Sequence, residues 1–465
     1  MAPPGAYMRA TDAFAWHMER DPALRSTVVV LLWLDRAPSW DRFADRVDRM
    51  SRQMPSMRQR VVAAPVPLTN PRWTYDPHFD LRWHLRRVTA PKPRTRDTVL
   101  EMARQSAMDS FDRDRPLWEF TLVEGLHGGE AALVAKIHHS LTDGVGGMRL
   151  LTVLFDLQRR GTDLGEMPSA PAGEDMSIRA EVTDAVGAMA ERAAHLARRG
   201  AGVAVPSLAH WVRHPVGSAM GATAMARSVY RTAAPISDTL SPVMRERAMV
   251  RRLATTEVPL AALRNAAETV GGTVNDAYLT AVTGALHHYH QRHDVEVESL
   301  RVTMPISIRS EDDLVWGNRI TLQRLTLPVG EPDPGARMRM VHRAIQAARD
   351  EPSLPVTDAI AGGLNLLPSA YVGGVLKHVD FLASNVPGSP VPIYLAGSLV
   401  TGFFAFGPTI GASLNTTLIS YRDRCLIGIN IDTAAVPDPD VFLECLGESL
   451  DEVTDLGAVD ETAAP

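Results

Sequence analysis

Residues 27–34, TVVVLLWL, form an unbroken apolar run rich in β-branched side chains, which predicts a strand buried on both faces. Ser39 then stands as a helix N-cap, with Trp40, Phe43, Val47, Met50 and Met54 behind it at three- and four-residue spacing. That spacing predicts an amphipathic helix that ends before Pro55. Residues 116–123 and 131–139 read as two further strands, and residues 145–157, apolar on most sides, as a buried helix. In the second half, residues 275–290 predict a helix and residues 301–308 a strand. Residues 414–420 and 425–432 predict two strands joined by the charged turn Arg422-Asp423-Arg424. In the latter, Ile427, Ile429 and Ile431 alternate with Gly428, Asn430 and Asp432, so one face is expected to be buried. Interleaved strands and helices without an internal repeat make this an α/β chain.

At 465 residues the chain exceeds the roughly 250–300 residues at which one core stops growing, which predicts at least two domains. The Gly-, Pro-, Ala- and Asp-rich stretch 160–176 reads as a surface connection. From Arg192 to Ser237 there is no acidic residue, while Arg192, Arg198, Arg199, Arg213, Arg227 and Arg231 are interleaved with apolar side chains such as Trp211. A basic amphipathic segment of this kind suits a membrane surface or a linker helix across two domains. The expected division is an N-terminal domain over residues 1–160, a linker over 161–254 and a C-terminal domain over 255–465. Net charge is −6, so nothing points to nucleic acid. Cys425 and Cys445 are too few for a disulfide framework or a zinc site and read as free thiols. Lysine occurs only at positions 92, 136 and 377, which removes most candidates for a lysine nucleophile. No secretory signal and no uncharged apolar run of about 18 residues is evident, so the expected location is cytoplasmic, with at most peripheral membrane contact.

The chemistry concentrates in KIHHSLTDGVGG, residues 136–147. Side chains alternate across a strand, so His138 and His139 are expected to point opposite ways unless the strand has already ended. One can then face a pocket while the other packs or fixes the backbone. No third ligand stands nearby, and no metal is expected. A lone imidazole in a pocket suits general-base work, and no Gly-x-Ser-x-Gly elbow offers a serine nucleophile. Asp143 either pairs with the imidazole or caps the following helix and holds an arginine; Asp-Gly at a strand-to-helix turn favours the second.

HHxxxDG resembles the motif of the CoA-dependent acyltransferase superfamily. The whole chain is similar to the bacterial wax ester synthase/diacylglycerol acyltransferase family. The shared landmarks run in order: Thr11-Asp12, PRW at 71–73, FDL at 79–81, PLWE at 116–119, HHSLTDG at 138–144, NDAYLT at 275–280, PISIR at 305–309, Gly317-Asn318, SNVPG at 384–388, YLAG at 394–397, Leu414-Asn415, Ser420-Tyr421 and PDPD at 437–440. The resemblance implies two chloramphenicol-acetyltransferase-like α/β domains, with mixed sheets and helices, around an active-site tunnel at their interface. It implies His139 as general base, with His138 and Asp143 as further motif residues; Arg309 is a candidate partner for Asp143. It offers Gly144, Trp118, Asn275, Asp276, Ser384, Asn385 and Gly388 as substrate-binding residues. Read locally, Trp118 is a packed strand residue and Asn275 a helix N-cap. Tyr278 and Thr280 depart from the family's NDVVLA, and a tunnel wall there would be bulkier and more polar. The run His287-His288-Tyr289-His290 lies outside the pattern and reads as an exposed helix end. The implied reaction moves an acyl group from acyl-CoA to diacylglycerol, or to a fatty alcohol to give a wax ester. No cofactor is called for, because acyl-CoA is a substrate, and a membrane or lipid droplet would supply the acceptor. Condensation on a carrier protein and a catalytically silent lipid-binding role are the competing readings.

Overall fold

The computed structural model describes residues 7–63, 70–141, 153–174, 187, 236, 238–307, 320–350 and 377–458. In the first half they form α1 (Ala10–Met18), β1 (Thr27–Leu34), α2 (Trp40–Gln53), β2 (Gln59–Val62), β3 (Arg72–Tyr75), α3 (Leu81–His84), β4 (Leu85–Thr89), α4 (Arg96–Met108), β5 (Trp118–Glu124) and β6 (Ala131–His138). In the second half they form β7 (Arg251–Pro259), α5 (Leu260–Glu268), α6 (Val274–Gln291), β8 (Ser299–Ser307), β9 (Ile320–Pro328), α7 (Pro334–Arg349), β10 (Phe381–Pro387), β11 (Tyr394–Leu395), β12 (Ser398–Phe406), β13 (Leu414–Tyr421), β14 (Arg424–Asp432) and α8 (Pro439–Asp455). The basic segment 192–237, Asp143, Gly144, Arg309 and Gly317-Asn318 lie outside the described residues.

Two six-stranded sheets organise these elements, in the orders β11-β12-β1-β6-β5-β4 and β7-β14-β13-β10-β8-β9. Both are mixed, as expected. In the first sheet β4 and β5 are parallel; in the second β10 runs parallel to both β8 and β13. The apolar run of β1 is explained by its place between β12 and β6. Ser39 occupies the N-cap of α2, yet its side chain makes no capping bond. Phe43, Val47 and Met50 are buried on that helix. Arg46 and Arg49 are buried as well, because residues 160–168 lie over them. Arg49 donates to the carbonyls of Leu164, Gly165 and Glu166 at 3.1, 2.7 and 2.8 Å, and Arg46 to that of Thr162 at 3.1 Å. The surface connection is thus held by side chains rather than by secondary structure of its own. Of the helix expected over 145–157, the described end stops by Leu154. Asp156 instead pairs with Tyr394, each amide donating to the other's carbonyl at 2.8 Å, and Leu157 is exposed.

The two halves of the chain do not keep to separate sheets. β12 comes from the second half and pairs with β1 from Val29↔Phe406 to Leu34↔Val400. It also contacts β13 and β14 of the second sheet. The face of β14 carrying Ile427, Ile429 and Ile431 is buried as expected, and Gly428, Asn430 and Asp432 on the other face are buried too. A Cβ on Gly428 would stand 2.1 Å from the carbonyl oxygen of Ala405, so only glycine admits so close an approach. Asn430 donates to the carbonyl of Gly407 at 2.9 Å.

The boundary at 254/255 falls inside β7, and residues 238–250 already pack on the second sheet. Asp380 accepts from the amides of Ser241 and Arg301 at 3.0 and 2.8 Å, and Met244 is fully buried. α6 is buried on nearly all sides by α5, α7 and α8. Each of Leu279, Val282 and Leu286 contributes roughly 1.5–3 kcal/mol of burial there. The histidine run at its end is not an exposed terminus. Tyr289 and His290 are buried, His290 Nε2 lies 2.8 Å from Ser241 Oγ, and His288 Nε2 lies 2.8 Å from Glu452. Both cysteines are buried free thiols, as expected.

His84 is fully buried. Its ring stacks between Phe79 and Trp118 at 5.3 and 4.6 Å, and its Nδ1–H donates to the Trp118 carbonyl at 2.7 Å. Burial, only partly opposed by that hydrogen bond, pushes the imidazole down to about 4. Burial lowers His287 and His290 in the same direction.

Two stability predictions follow. Gly428→Ala forces a backbone shift and should cost about 1–3 kcal/mol, whereas Gly447→Ala, in open space on α8, should gain about 0.5–1 kcal/mol. Thermal midpoints of the two variants should move in opposite directions. Below the ordinary histidine value the unfolded chain binds protons that folded His84 refuses. Stability should therefore fall as pH drops from about 6.5 to about 4, by about 3 kcal/mol from this residue alone. Denaturation of His84→Gln at pH 7.5 and pH 5 should show a smaller loss than wild type; an equal loss would contradict the assignment.

Candidate active site

β6 lies inside the first sheet, between β1 and β5, with all eight residues buried. The expected strand ends one residue early, at His138. Its neighbours begin there, with Thr27 at the start of β1 opposite His138 and Trp118 at the start of β5 opposite Ile137; His138 N–H donates to the Leu117 carbonyl at 3.0 Å and His139 N–H to the Ser26 carbonyl at 2.9 Å. His139 then opens a 3₁₀ turn, His139–Leu141.

The two histidines accordingly differ in surroundings. His138 is fully buried and His139 is exposed. The Ser140 amide donates to His138 Nδ1 at 3.1 Å, and Ser140 Oγ lies 2.6 Å from the same nitrogen. A backbone N–H can only donate, so Nδ1 carries the lone pair and the ring hydrogen sits on Nε2. That nitrogen stands 3.1 Å from Glu19 Oε1. Trp16 and Phe111 flank the ring edge-on at 6.1 and 6.0 Å. Burial opposes the charge on Glu19. The His138 imidazole, the Ser26 amide and the Arg113 guanidinium nevertheless hold the carboxyl below its ordinary value. Sequence reasoning missed Glu19 and Ser140. Ser140 is legible in hindsight as a hydroxyl two residues after a histidine; Glu19 carries no local signal.

A second cluster stands at the carboxyl end of β10, where parallel pairing to β8 stops at Leu382↔Thr303 while pairing to β13 continues. Such a parting of parallel strands is where open α/β sheets place ligands. Asn385 Nδ2 donates to Asn275 Oδ1 at 3.4 Å, joining two of the quoted motifs. The Ser384 amide and Thr416 hydroxyl both meet the Tyr278 hydroxyl, the latter at 2.6 Å. Tyr278 is fully buried in the core beneath the second sheet, and Thr280 bonds back to the Asp276 carbonyl at 2.7 Å. Their departures from the family pattern therefore fall in the core rather than on an open wall.

Three expected binding residues are otherwise engaged. Asp276 is a capping residue: it accepts from the amide and hydroxyl of the N-cap Thr273 at 2.8 and 2.9 Å and lies 2.9 Å from His342 Nδ1. Thr273, not Asn275, is thus the cap. Gly388 is not in a free turn. Its amide donates to Ser420 Oγ at 3.3 Å, and a Cβ there would meet the Ser420 carbonyl oxygen at 2.2 Å. Trp118 is fully buried, with Nε1 donating to the Met57 carbonyl at 2.8 Å.

Between the two halves, Arg25 and Thr27 face Arg251, Thr409 and Asn430 around a cavity of about 20 Å³. That is far below the roughly 300 Å³ and more of a substrate pocket. A groove of about 560 Å³ along β9 and α7 contains none of the motif residues. Among the described residues no cluster of three metal-ligating side chains occurs, and no helix is long and apolar enough to cross a membrane.

Comparison with known proteins places this geometry in context. Residues 8–278 match the wax ester synthase/diacylglycerol acyltransferase catalytic domain, and residues 316–454 the C-terminal domain of the same family. A Mycobacterium tuberculosis protein named as a diacylglycerol O-acyltransferase is 35% identical over 438 residues, covering 94% of this chain and 89% of the relative. A second protein of that name from the same species is 28% identical, covering 95% and 89%. Among solved structures, the wax ester synthase/diacylglycerol acyltransferase of Marinobacter aquaeolei VT8 superposes with a TM-score of 0.62 at 22% identity, over 97% of this chain and 100% of that one. The first condensation domain of the calcium-dependent antibiotic synthetase gives 0.61 at 15% identity, over 100% and 98%.

Proposed function

The chain belongs to the wax ester synthase/diacylglycerol acyltransferase family and is an acyltransferase of that type; from this premise we propose that it transfers a long-chain acyl group from acyl-CoA to the hydroxyl of diacylglycerol, with His139 as general base. The observation that carries the reading is the split of the histidine pair. His138 is buried, its Nδ1 accepting from the Ser140 amide and its Nε2 3.1 Å from Glu19 Oε1, while His139 stands at the end of an interior strand with its amide anchored to Ser26.

In this reaction His139 takes the proton as the acceptor oxygen attacks the thioester carbonyl. A C–O bond forms, and the tetrahedral oxyanion collapses by breaking the C–S bond. The CoA thiolate leaves with the proton held by His139, giving triacylglycerol and free CoA. The thioester supplies the driving force, so position, a base and an oxyanion donor suffice. Asn275 and Asn385 are the proposed oxyanion side, with Ser384 beside them. Asp143 and Gly144 complete the motif in the sequence. A fatty alcohol in place of diacylglycerol would give a wax ester by the same steps. The acid-free basic stretch 192–237 supports peripheral contact with an anionic membrane or a lipid-droplet surface, where both lipids reside.

The test uses purified protein with palmitoyl-CoA and either diacylglycerol or hexadecanol, following free CoA and the lipid product. His139→Ala should lower turnover about 10²–10⁴-fold and remain folded, and His138→Ala should cost less. Triacylglycerol in excess over wax ester supports the proposed acceptor. The reverse ratio replaces it with fatty alcohol, and no product from folded wild type favours a silent lipid-binding role.

A further inference from the structure

We infer that Glu19 is a positioning residue for acyl transfer: this one carboxylate, at the carboxyl end of α1, ties together the segments that hold His139. The inference rests on His139 being the base, as proposed above.

The connections form a closed set. Glu19 Oε1 accepts from the Ser26 amide at 3.1 Å, and the Ser26 carbonyl accepts from the His139 amide at 2.9 Å. The same carboxylate oxygen stands 3.1 Å from His138 Nε2. On the far side of that ring, Nδ1 accepts from the amide of Ser140 at 3.1 Å. The residue before His139, the residue after it and the strand residue opposite it are all linked to Glu19. These contacts fix the backbone on both sides of the base.

The second half of the chain holds this arrangement in place. Lys377 Nζ lies 2.6 Å from Asp21, two residues beyond Glu19, and Ile410 packs against Met18 and Leu24 on either side. Arg113 lies 3.9 Å over the Trp16 ring, donates to the Trp16 carbonyl and adds positive charge facing Glu19. A carboxylate this enclosed, with a side-chain exposure of 9%, needs its partners to stay charged. Loss of the charge frees His138 and Ser26 together and lets the 138–140 backbone move. A displacement of about 1 Å at a reacting group can cost on the order of 10²-fold in rate.

The experiment compares wild type, Glu19→Gln, His138→Ala, the double variant and His139→Ala as full chains, with palmitoyl-CoA and diacylglycerol. Glu19→Gln keeps the shape and an acceptor oxygen but removes the charge, which weakens both contacts at that oxygen. It should lower kcat by about 10–10²-fold and leave both KM values within about twofold, the pattern of a lost transition-state alignment. The double variant should lose less than the product of the two single losses, because Glu19 acts partly through His138. A merely structural Glu19 would lower the thermal midpoint while the folded protein kept its kcat, and that result overturns the inference. Wild-type turnover by His139→Ala would instead remove the base assignment, and the positioning role with it. Should Glu19→Gln fail to fold, Glu19→Asp, which keeps the charge on a shorter arm, tests the same contacts. It should lower kcat about threefold or more with KM unchanged, and an unchanged kcat overturns the inference.

Discussion

The structure depends on one strand being shared. β12 hydrogen-bonds to β1 in the first sheet while its outer surface lies on β13 and β14 of the second. The approach is set by backbone, with the Ala405 carbonyl oxygen against Gly428 where a side chain would not fit. Without residues 394–406 the first sheet would expose the edge of β1, an apolar run that no soluble domain leaves uncovered. The two domains are therefore joined through a shared strand. Their boundary is continuous core, and Leu253, Ile419, Tyr421 and Leu426 of the second half join the apolar cluster of the first.

Charge is buried at the same seam, and each buried charge has a defined partner. Arg251 pairs with Asp432 at 2.8 Å, and Arg247 donates to the carbonyls of Gly411, Met244 and Val379. Burial lowers both guanidinium groups and raises Asp380, which three backbone amides then partly restrain. Such groups add little net stability beside well-packed apolar ones, yet are costly when a partner is lost. Their effect is to fix how segment 238–251 lies against the second sheet, and so where the chain leaves the interdomain connection.

The amino-acid pattern read well wherever a partner was implied by periodicity. β1, β6, β13, β14, α2 and α6 follow from runs and spacings within each segment. It read poorly wherever burial came from elsewhere in the chain. Nothing near β14 announces that β12 covers its polar face. Nothing near His287–His290 announces that Ser241 and Glu452 await them. Tyr278 stood out as a departure from a pattern, but its side was settled only by Thr416, 138 residues away. The histidine pair was legible to the extent that alternation separates neighbours. The end of β6 at His138 was not, because it is set by where β1 and β5 begin.

The division of labour in the active site follows from these supports. On the first sheet the proposed base, His139, follows the end of an interior strand, where the ladder fixes its backbone position. On the second sheet, β10 parts from β8 and leaves amide and hydroxyl groups at its carboxyl end. The Gly388 amide is engaged by Ser420 and that of Ser384 by Tyr278, so backbone donors there are already committed. Oxyanion stabilisation in the proposed reaction therefore falls to side chains, and Asn385 and Asn275 orient one another for it. A base on one sheet and donors on the other can act on one carbonyl only if the sheets keep a fixed separation. β12, packed on both, is what fixes it.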